Sequence, residues 1–148
     1  MNLKDAVAAG QMRDGDLCLD LLAIATHIYH KVPTAFFRML AEPAGTQAGQ
    51  INLRAGSTPH IELYAGHVGY EVYEGFRGNR YAARSLRLLL PCVRRLGIEP
   101  MWITCDPENA ASRRSLELAG AEFVETVDVP RDCCVFAGGH PRKCRYRL

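Results

Sequence analysis

A short turn rich in glycine and arginine, residues 75–83 (GFRGNRYAA), separates a strand-like stretch from a helical one in the middle of the chain. Apolar side chains alternate over residues 68–72 just before it and recur with helical spacing just after it. The first backbone N–H groups of a helix have no partner within the helix, so such a turn gathers free donors beside Arg77 and Arg80. The pattern predicts an anion site, most often one for phosphate. The alternative is a surface loop whose arginines are only solvated.

Length and composition place this turn in one globular domain. The chain has 148 residues, of which 48% are apolar and 23% are charged, so we expect a single domain over residues 1–148. The net charge of +2 does not by itself imply nucleic acid or a membrane as a partner. Because no apolar run approaches the length of a membrane span and the first residues lack the shape of a secretory signal, we expect a cytoplasmic location.

The cysteines follow no recognised metal-binding spacing. The chain has six, with no CxxC pair and no paired histidines at zinc-finger spacing, so the sequence predicts no metal site. Disulfides are not expected in the absence of an export signal. Cys133 and Cys134, followed by Cys144, form the one group that could be redox-active or bind a metal.

Hydrophobic periodicity and turn residues predict the order of elements. The pattern indicates a short helix at 3–12, strands at 17–28, 34–42 and 50–54, a long strand at 61–73, a helix at 80–96, a strand at 100–105, a helix at 110–119, and strands at 121–127 and 143–148. The alternation within the long strand changes phase at Ala65-Gly66, which indicates a bulge or a break there. This order predicts an α/β fold with a mixed sheet.

Two segments together resemble a known family. GYEVYEGFRGNRYAARSLRLLL, followed by WITCDPENAASRRSLELAGAEFVE, is similar to the GNAT superfamily of acyl-CoA-dependent N-acetyltransferases over about residues 66–128. The resemblance implies a mixed, mostly antiparallel, splayed sheet of six to seven strands flanked by helices. The family's pyrophosphate-binding signature, Arg/Gln-x-x-Gly-x-Gly/Ala, falls here on residues 77–82, with Arg80 where the family usually has glycine. An arginine there still presents its N–H if the backbone stays helical.

The resemblance implies acetyl-CoA as the cosubstrate and assigns residues to it. The pantetheine arm pairs with the backbone at residues 70–72 like an added strand, and the asparagine at the head of the second helix contacts the same arm. The implied cofactor-binding residues are Tyr70, Val72, Arg77, Gly78, Asn79, Arg80, Tyr81, Ala82, Asn109 and Ser112.

Acid and base candidates follow from the chemistry of acetyl transfer. In many family members a tyrosine protonates the departing thiolate, but this chain has Leu116 at that position. Other members have a serine three residues after the asparagine, and Ser112 matches it, so the resemblance makes Ser112 the first choice for the acid. A base must deprotonate the acceptor ammonium. Its candidates are Glu62, Glu71, His60 and His67. Of these, His67 and Glu71 have the same strand parity and could line one cleft wall. Each is also an ordinary exposed strand residue in the alternative interpretation.

The sequence therefore predicts an N-acetyltransferase that moves an acetyl group from acetyl-CoA to an amine on a small molecule or a peptide. One alternative is a non-catalytic acyl-CoA sensor on the same fold. A second is a nucleic-acid-binding module that uses the basic tail, residues 131–148, which otherwise predicts an exposed edge strand with charged outer positions. The stretch between the first two long strands is too short for the two helices that the family places there, so we expect an open pocket or one completed by a second subunit in a homodimer.

Overall fold

A computed structural model describes all 148 residues of the chain. The helices are α1 (Leu3–Ala8), α2 (Tyr81–Arg95), α3 (Ala110–Ala119) and α4 (Cys134–Ala137). The strands are β1 (Arg13–Asp14), β2 (Leu17–Thr26), β3 (Pro33–Ala41), β4 (Thr46–Arg54), β5 (Val68–Val72), β6 (Trp102–Cys105), β7 (Glu122–Asp128) and β8 (Arg142–Arg147). None of the helices is long and apolar enough to cross a bilayer.

The strands form two antiparallel sheets that diverge from one seam. Strands β1 to β5 lie side by side in chain order, whereas the second sheet has the order β6-β8-β7. The sheets adjoin where β5 and β6 begin, since the His67 N–H donates to the Trp102 carbonyl at 2.7 Å. No ladder joins β5 to β6 beyond this bond. The predicted splayed architecture is confirmed, with eight strands instead of six or seven and with only antiparallel pairs where a mixed, mostly antiparallel sheet was expected.

Residues 61–73 do not form one strand, so that prediction is wrong. Ile61–Ala65 is a π-helical turn, and Gly66 follows it with φ of 76° before β5 begins. A Cβ atom on Gly66 would lie 3.2 Å from the Ile103 Cα atom and 3.2 Å from the Trp102 carbonyl oxygen. Glycine is needed here both for its positive φ and for this close approach of β6. The predicted break at Ala65-Gly66 is therefore confirmed.

Strand β8 is the central strand of its sheet, not the exposed edge strand predicted from its charges. Its alternate side chains Cys144 and Tyr146 are buried, and Arg145 is also buried on the opposite face. Arg145 donates to the Glu62 carbonyl and to the Glu125 carboxylate. Most basic side chains of the tail therefore form ion pairs within the protein.

Helix α2 anchors the first sheet and so fixes the turn before it. Its apolar face, which includes Leu86, Leu89 and Val93, is buried in the main core together with β2 to β5. Helix α1 packs against α2, where the Cys92 thiol donates to the Ala6 carbonyl at 2.9 Å. Only residues 27–32 join β2 to β3. The two helices that the family places between its first two strands therefore do not occur at this position, as the sequence predicts.

Candidate functional site

The turn before α2 presents six consecutive unpaired donors. None of the backbone N–H groups of residues 78–83 has a hydrogen-bond acceptor within the protein. The last three belong to the first turn of α2, where the helix macrodipole is positive. Just ahead of them, the Arg77 side chain donates to the Val72 carbonyl at 3.3 Å, which holds it at the end of β5. This is the backbone arrangement that binds phosphate groups.

Arg80 adopts a left-handed conformation, with φ of 59° and ψ of 28°. Its backbone is helical only in the left-handed sense, because Arg80 is the residue that precedes α2 and turns the chain into it. A non-glycine residue in this region costs roughly 1–2 kcal/mol. The conformation gives a physical reason for glycine at this position of the signature. The Arg80 side chain is exposed and forms no hydrogen bond or ion pair.

The β1–β2 turn fastens the beginning of α2 in place. The Tyr81 hydroxyl donates to the Asp16 carboxylate at 2.9 Å, and the Arg84 guanidinium pairs with Asp14 and Asp16, each at 2.7 Å. The hydrogen bond from Arg84 lowers the pKa of Asp16 below its ordinary value. These contacts fasten the turn before α2 to the β1–β2 turn and so to the first sheet.

A pair of hydroxyl groups bridges the opening between the two sheets. The Tyr70 hydroxyl on β5 lies 2.7 Å from the Ser112 Oγ atom on α3. Ser112 is itself fixed, because its N–H donates to the Asn109 side chain that caps α3. Burial raises the pKa of Tyr70 to about 12, and burial also raises that of the neighbouring Cys105 thiol to about 11. These groups are therefore neutral proton donors at physiological pH.

Sequence reasoning selected Tyr70 for its backbone and missed its hydroxyl group. The two hydroxyl-bearing residues are 42 positions apart, so no local pattern signals their contact. Leu116, which stands at the position of the family's tyrosine, is fully buried in the core and faces no opening.

His67 and Glu71 do not line a common wall, contrary to the expectation from parity. His67 is fully buried; its Nδ1 atom accepts from the Trp102 N–H, and its Nε2 atom lies 2.8 Å from the Ser57 hydroxyl. Burial lowers the pKa of His67 to about 4, so the ring is neutral, with its proton on Nε2. Glu71 is exposed on β5, opposite Gln50 of β4. His67 thus serves the seam between the sheets, whereas Glu71 faces solvent.

A cavity of about 530 Å³ opens on the face of the second sheet that α3 does not cover. The π-helical turn lies on this face, where the Thr104 hydroxyl donates to the Tyr64 carbonyl at 2.7 Å. Arg54 lines the cavity and is nearly buried; it donates to the carbonyls of Ala65 and Gly66, but its Nε atom has no partner. Burial lowers the pKa of Arg54 to about 10. Its other lining residues include His30, Tyr64, Cys134, His140 and Lys143.

Cys144 lies apart from Cys133 and Cys134, so the three do not form the single redox or metal-binding group that the sequence suggested. Cys144 is buried in β8, where it lies opposite Cys105 of β6 in the strand register. Cys133 and Cys134 lie instead beside the imidazole of His60. All six cysteines are free thiols.

Two splayed sheets with free backbone amides before α2 are the architecture of an acyltransferase domain. Residues 21–122 match the family model described as "Acetyltransferase (GNAT) domain". Because the match covers more than half of the chain, this protein belongs to the GNAT acetyltransferase family. No curated protein sequence gives a significant match.

Solved structures of acetyltransferases share the fold. An acetyltransferase (GNAT family) from Bacillus anthracis has a TM-score of 0.57 at 17% identity, covering 76% of this chain and 64% of its own. The microcin C7 self-immunity acetyltransferase MccE, in complex with acetyl-CoA and AMP, has a TM-score of 0.56 at 14% identity, with coverages of 78% and 60%. RimL, a ribosomal L7/L12 alpha-N-protein acetyltransferase in complex with coenzyme A, has a TM-score of 0.58 at 19% identity, with coverages of 78% and 61%. The chain thus spans about three-fifths of the length of these proteins.

Proposed function

We propose that this protein transfers an acetyl group from acetyl-CoA to an amine by direct attack of the amine on the thioester. The observation that carries the proposal is the run of six unpaired backbone N–H groups at residues 78–83. This run lies directly beyond β5, on the side where the two sheets part. A pyrophosphate bound at the turn would place an attached arm beside the free edge of β5.

Two groups of residues make up the proposed cofactor site. The turn would hold the pyrophosphate through the backbone of Gly78, Asn79, Arg80, Tyr81 and Ala82, with the Arg77 side chain beside it. The pantetheine arm would run along Tyr70 and Val72 toward Asn109 and Ser112 at the head of α3. The complexes of MccE with acetyl-CoA and of RimL with coenzyme A support this assignment, since both proteins share the fold.

The hydroxyl pair supplies the proposed acid. The acceptor nitrogen forms a bond to the acetyl carbon, the carbon–sulfur bond breaks, and the departing thiolate takes a proton from Ser112. The Tyr70 hydroxyl, 2.7 Å from Ser112 Oγ, returns a proton to Ser112, and Tyr70 regains its own from solvent, which receives the proton that the base removes from the acceptor amine. General acid catalysis of this kind contributes typically 10²–10⁴-fold to the rate.

The acceptor would enter from the cavity face, opposite α3. The cavity borders the second sheet next to the end of β6, and Arg54, Tyr64 and Lys143 give it both polar and apolar walls. Glu71 remains our candidate for the base, acting through water, since it is exposed whereas both ring nitrogens of His67 are hydrogen-bonded within the protein. The acceptor is an amine on a small molecule or a peptide. A homodimer and a cytoplasmic location stay predictions.

Binding and turnover test the proposal separately. Thermal unfolding is measured with acetyl-CoA, free CoA and an oligonucleotide. We expect stabilisation by the first two ligands of about 2.7 kcal/mol at 100 times Kd, and none by the third. Release of free thiol with a panel of amines then distinguishes an enzyme from a sensor. If millimolar CoA does not change the unfolding temperature, both the enzyme and the sensor hypotheses are refuted. If CoA raises the unfolding temperature but no amine gives free thiol, only the sensor hypothesis remains.

A further inference from the structure

Three soft or borderline metal ligands meet at one edge of the cavity. His30 from the β2–β3 connection, His60 from the loop after β4 and Cys134 at the beginning of α4 direct their ligand atoms toward one another, all within 4.8 Å. The cluster is separate from the turn before α2 and from the Tyr70–Ser112 pair. Nothing in the proposed acetyl transfer requires it.

The spacing of the three ligand atoms approaches that of a tetrahedral zinc site. The His30 Nδ1 atom is 2.8 Å from the His60 Nε2 atom, and the Cys134 Sγ atom is 3.9 Å from the same Nε2 atom. Zinc bonds of about 2.0 Å to nitrogen and 2.3 Å to sulfur imply ligand separations of about 3.3 Å for N···N and 3.6 Å for N···S in a tetrahedron. These two separations are within about half an ångström of the tetrahedral values, and the third, between His30 and Cys134, is no more than 4.8 Å.

Each of the three segments is braced by its own hydrogen bonds. The His27 Nδ1 atom accepts from the N–H of His30 at 3.2 Å, which orients the β2–β3 connection. The Thr58 hydroxyl accepts from the Ile61 N–H at 3.2 Å, which fixes the turn that carries His60. Cys134 is the first residue of α4. A site on such pre-formed segments loses little conformational entropy when it binds an ion.

Cys133 occupies the position of an orienting partner. Its Sγ atom lies 3.6 Å from the Nδ1 atom of His60, whereas the Cys134 Sγ atom lies 3.9 Å from the Nε2 atom of the same ring. A hydrogen bond from Nδ1–H to this sulfur would leave Nε2 free to bind the ion, which is how a second group commonly orients a metal-bound histidine. Cys133 is therefore a positioning residue here and not a ligand.

The open side of the cluster leaves one coordination position of an ion free. His30 and Cys134 both line the cavity, so the fourth position of a tetrahedron faces that space. Arg54 lies on the same cavity and its positive charge opposes a bound cation, which the Cys134 thiolate would offset in part once the ion displaces the thiol proton. Its Nη1 atom already donates to two carbonyls, which directs that part of the guanidinium away from the cluster.

We propose that His30, His60 and Cys134 bind a zinc ion whose fourth position opens into the cavity. Two imidazoles and one thiolate suit Zn²⁺ better than Mg²⁺ or Ca²⁺, which prefer oxygen ligands. Three protein ligands with one open position are typical of zinc sites that bind a water or a substrate atom.

Metal titration of the full-length, reduced protein tests the site without any need for turnover. We expect one equivalent of Zn²⁺ to bind in competition with a chromophoric chelator, and Mg²⁺ not to bind. Co²⁺ should give the visible bands of a tetrahedral complex and an ultraviolet thiolate-to-cobalt band. Absence of stoichiometric zinc binding, or a cobalt spectrum without the thiolate band, would overturn the proposal.

Variants assign the ligands. Cys134→Ser and His60→Gln should each weaken zinc binding by at least about 100-fold, and Cys133→Ser by about 10–100-fold, as expected of an orienting partner. Cys18→Ser changes a thiol outside the cluster and should leave zinc affinity unchanged. Circular dichroism identifies any variant that fails to fold. If the ligand variants do not fold, the cobalt spectrum of the wild type decides whether a thiolate binds the ion. Wild-type affinity in folded Cys134→Ser would exclude the site.

Discussion

The Tyr70 hydroxyl lies 2.7 Å from the Ser112 Oγ atom and so joins β5 to α3 across the opening between the two sheets. The contact is partly buried, and Ser112 is oriented by the Asn109 cap. In the proposed reaction the thiolate departs into this opening, where the hydroxyl pair would serve as its proton donor.

Loss of Ser112 Oγ should slow acetyl transfer with little effect on the binding of acetyl-CoA. We expect Ser112→Ala to lower kcat by about 100-fold, because general acid catalysis contributes that much or more. Tyr70→Phe should lower kcat by a smaller factor, since Tyr70 acts through Ser112. Ser115→Ala is the matched control, because Ser115 lies on the same helix and bonds only the Ala111 carbonyl. Equal rates in Ser112→Ala and Ser115→Ala would contradict the role of Ser112.

Relief of the left-handed conformation at Arg80 should stabilise the protein. We expect Arg80→Gly to raise the free energy of unfolding by about 1 kcal/mol and Tm by about 2–4 °C. The affinity for CoA should be kept or improved if the backbone alone holds the pyrophosphate. Arg77→Gly is the control for the stability change alone, because Arg77 has φ of −69° and offers no strain to relieve. A marked loss of CoA affinity in Arg80→Gly would show instead that the Arg80 side chain binds the phosphate.

Arg145 should contribute to stability and not to nucleic-acid binding. It is buried, its guanidinium carbon lies 4.1 Å from the centre of the Trp102 ring, and it donates to the Glu62 carbonyl and the Glu125 carboxylate. We expect Arg145→Lys to cost about 2 kcal/mol in urea unfolding, because lysine lacks the planar fork. Arg147→Ala removes an exposed ion pair and should cost less than about 1 kcal/mol. If both variants lost the same free energy of unfolding, the buried contacts of Arg145 would not be more stabilising than the exposed ion pair of Arg147.

His67 should make the protein less stable as the pH falls below about 6.5. Burial lowers its pKa from 6.5 to about 4 in the folded state, so the unfolded chain binds the proton first. The stability it contributes is therefore fully present above pH 6.5 and is lost as the pH falls toward 4. The loss is about 3 kcal/mol for this residue.

Urea unfolding between pH 7 and pH 4 measures this dependence. His67→Gln keeps an acceptor for the Trp102 N–H but cannot titrate, so its stability should fall less steeply with pH than that of the wild type. An identical slope in both proteins would show that His67 does not carry the effect.

Local patterns were sufficient for much of the fold. Helix α3 begins after the Asn109 cap and ends at Gly120, whose φ is 92°, because both signals act within one turn of the helix. The turn at residues 75–83 was predicted for the same reason. In contrast, the π-helical turn at Ile61–Ala65 carries apolar residues at positions 61, 63 and 65, which is also the spacing of a strand.

Contacts distant in sequence account for what the patterns missed. Strand β8 has the charges of an edge strand, but it lies between β6 and β7 because Arg145 and Lys143 find acidic partners on neighbouring elements. The Tyr70–Ser112 pair and the His30–His60 pair each join residues 30 or more positions apart. Only the assembled fold brings these side chains together.

Amide chemical shifts test the central claim most directly. Acetyl-CoA is titrated into ¹⁵N-labelled protein, and the backbone N–H resonances are followed residue by residue. If the free amides before α2 hold the pyrophosphate, the largest shifts will fall on residues 78–83, with smaller ones at Tyr70, Val72 and Asn109. No shifts at millimolar acetyl-CoA, or shifts confined to other parts of the protein, would contradict the proposed site.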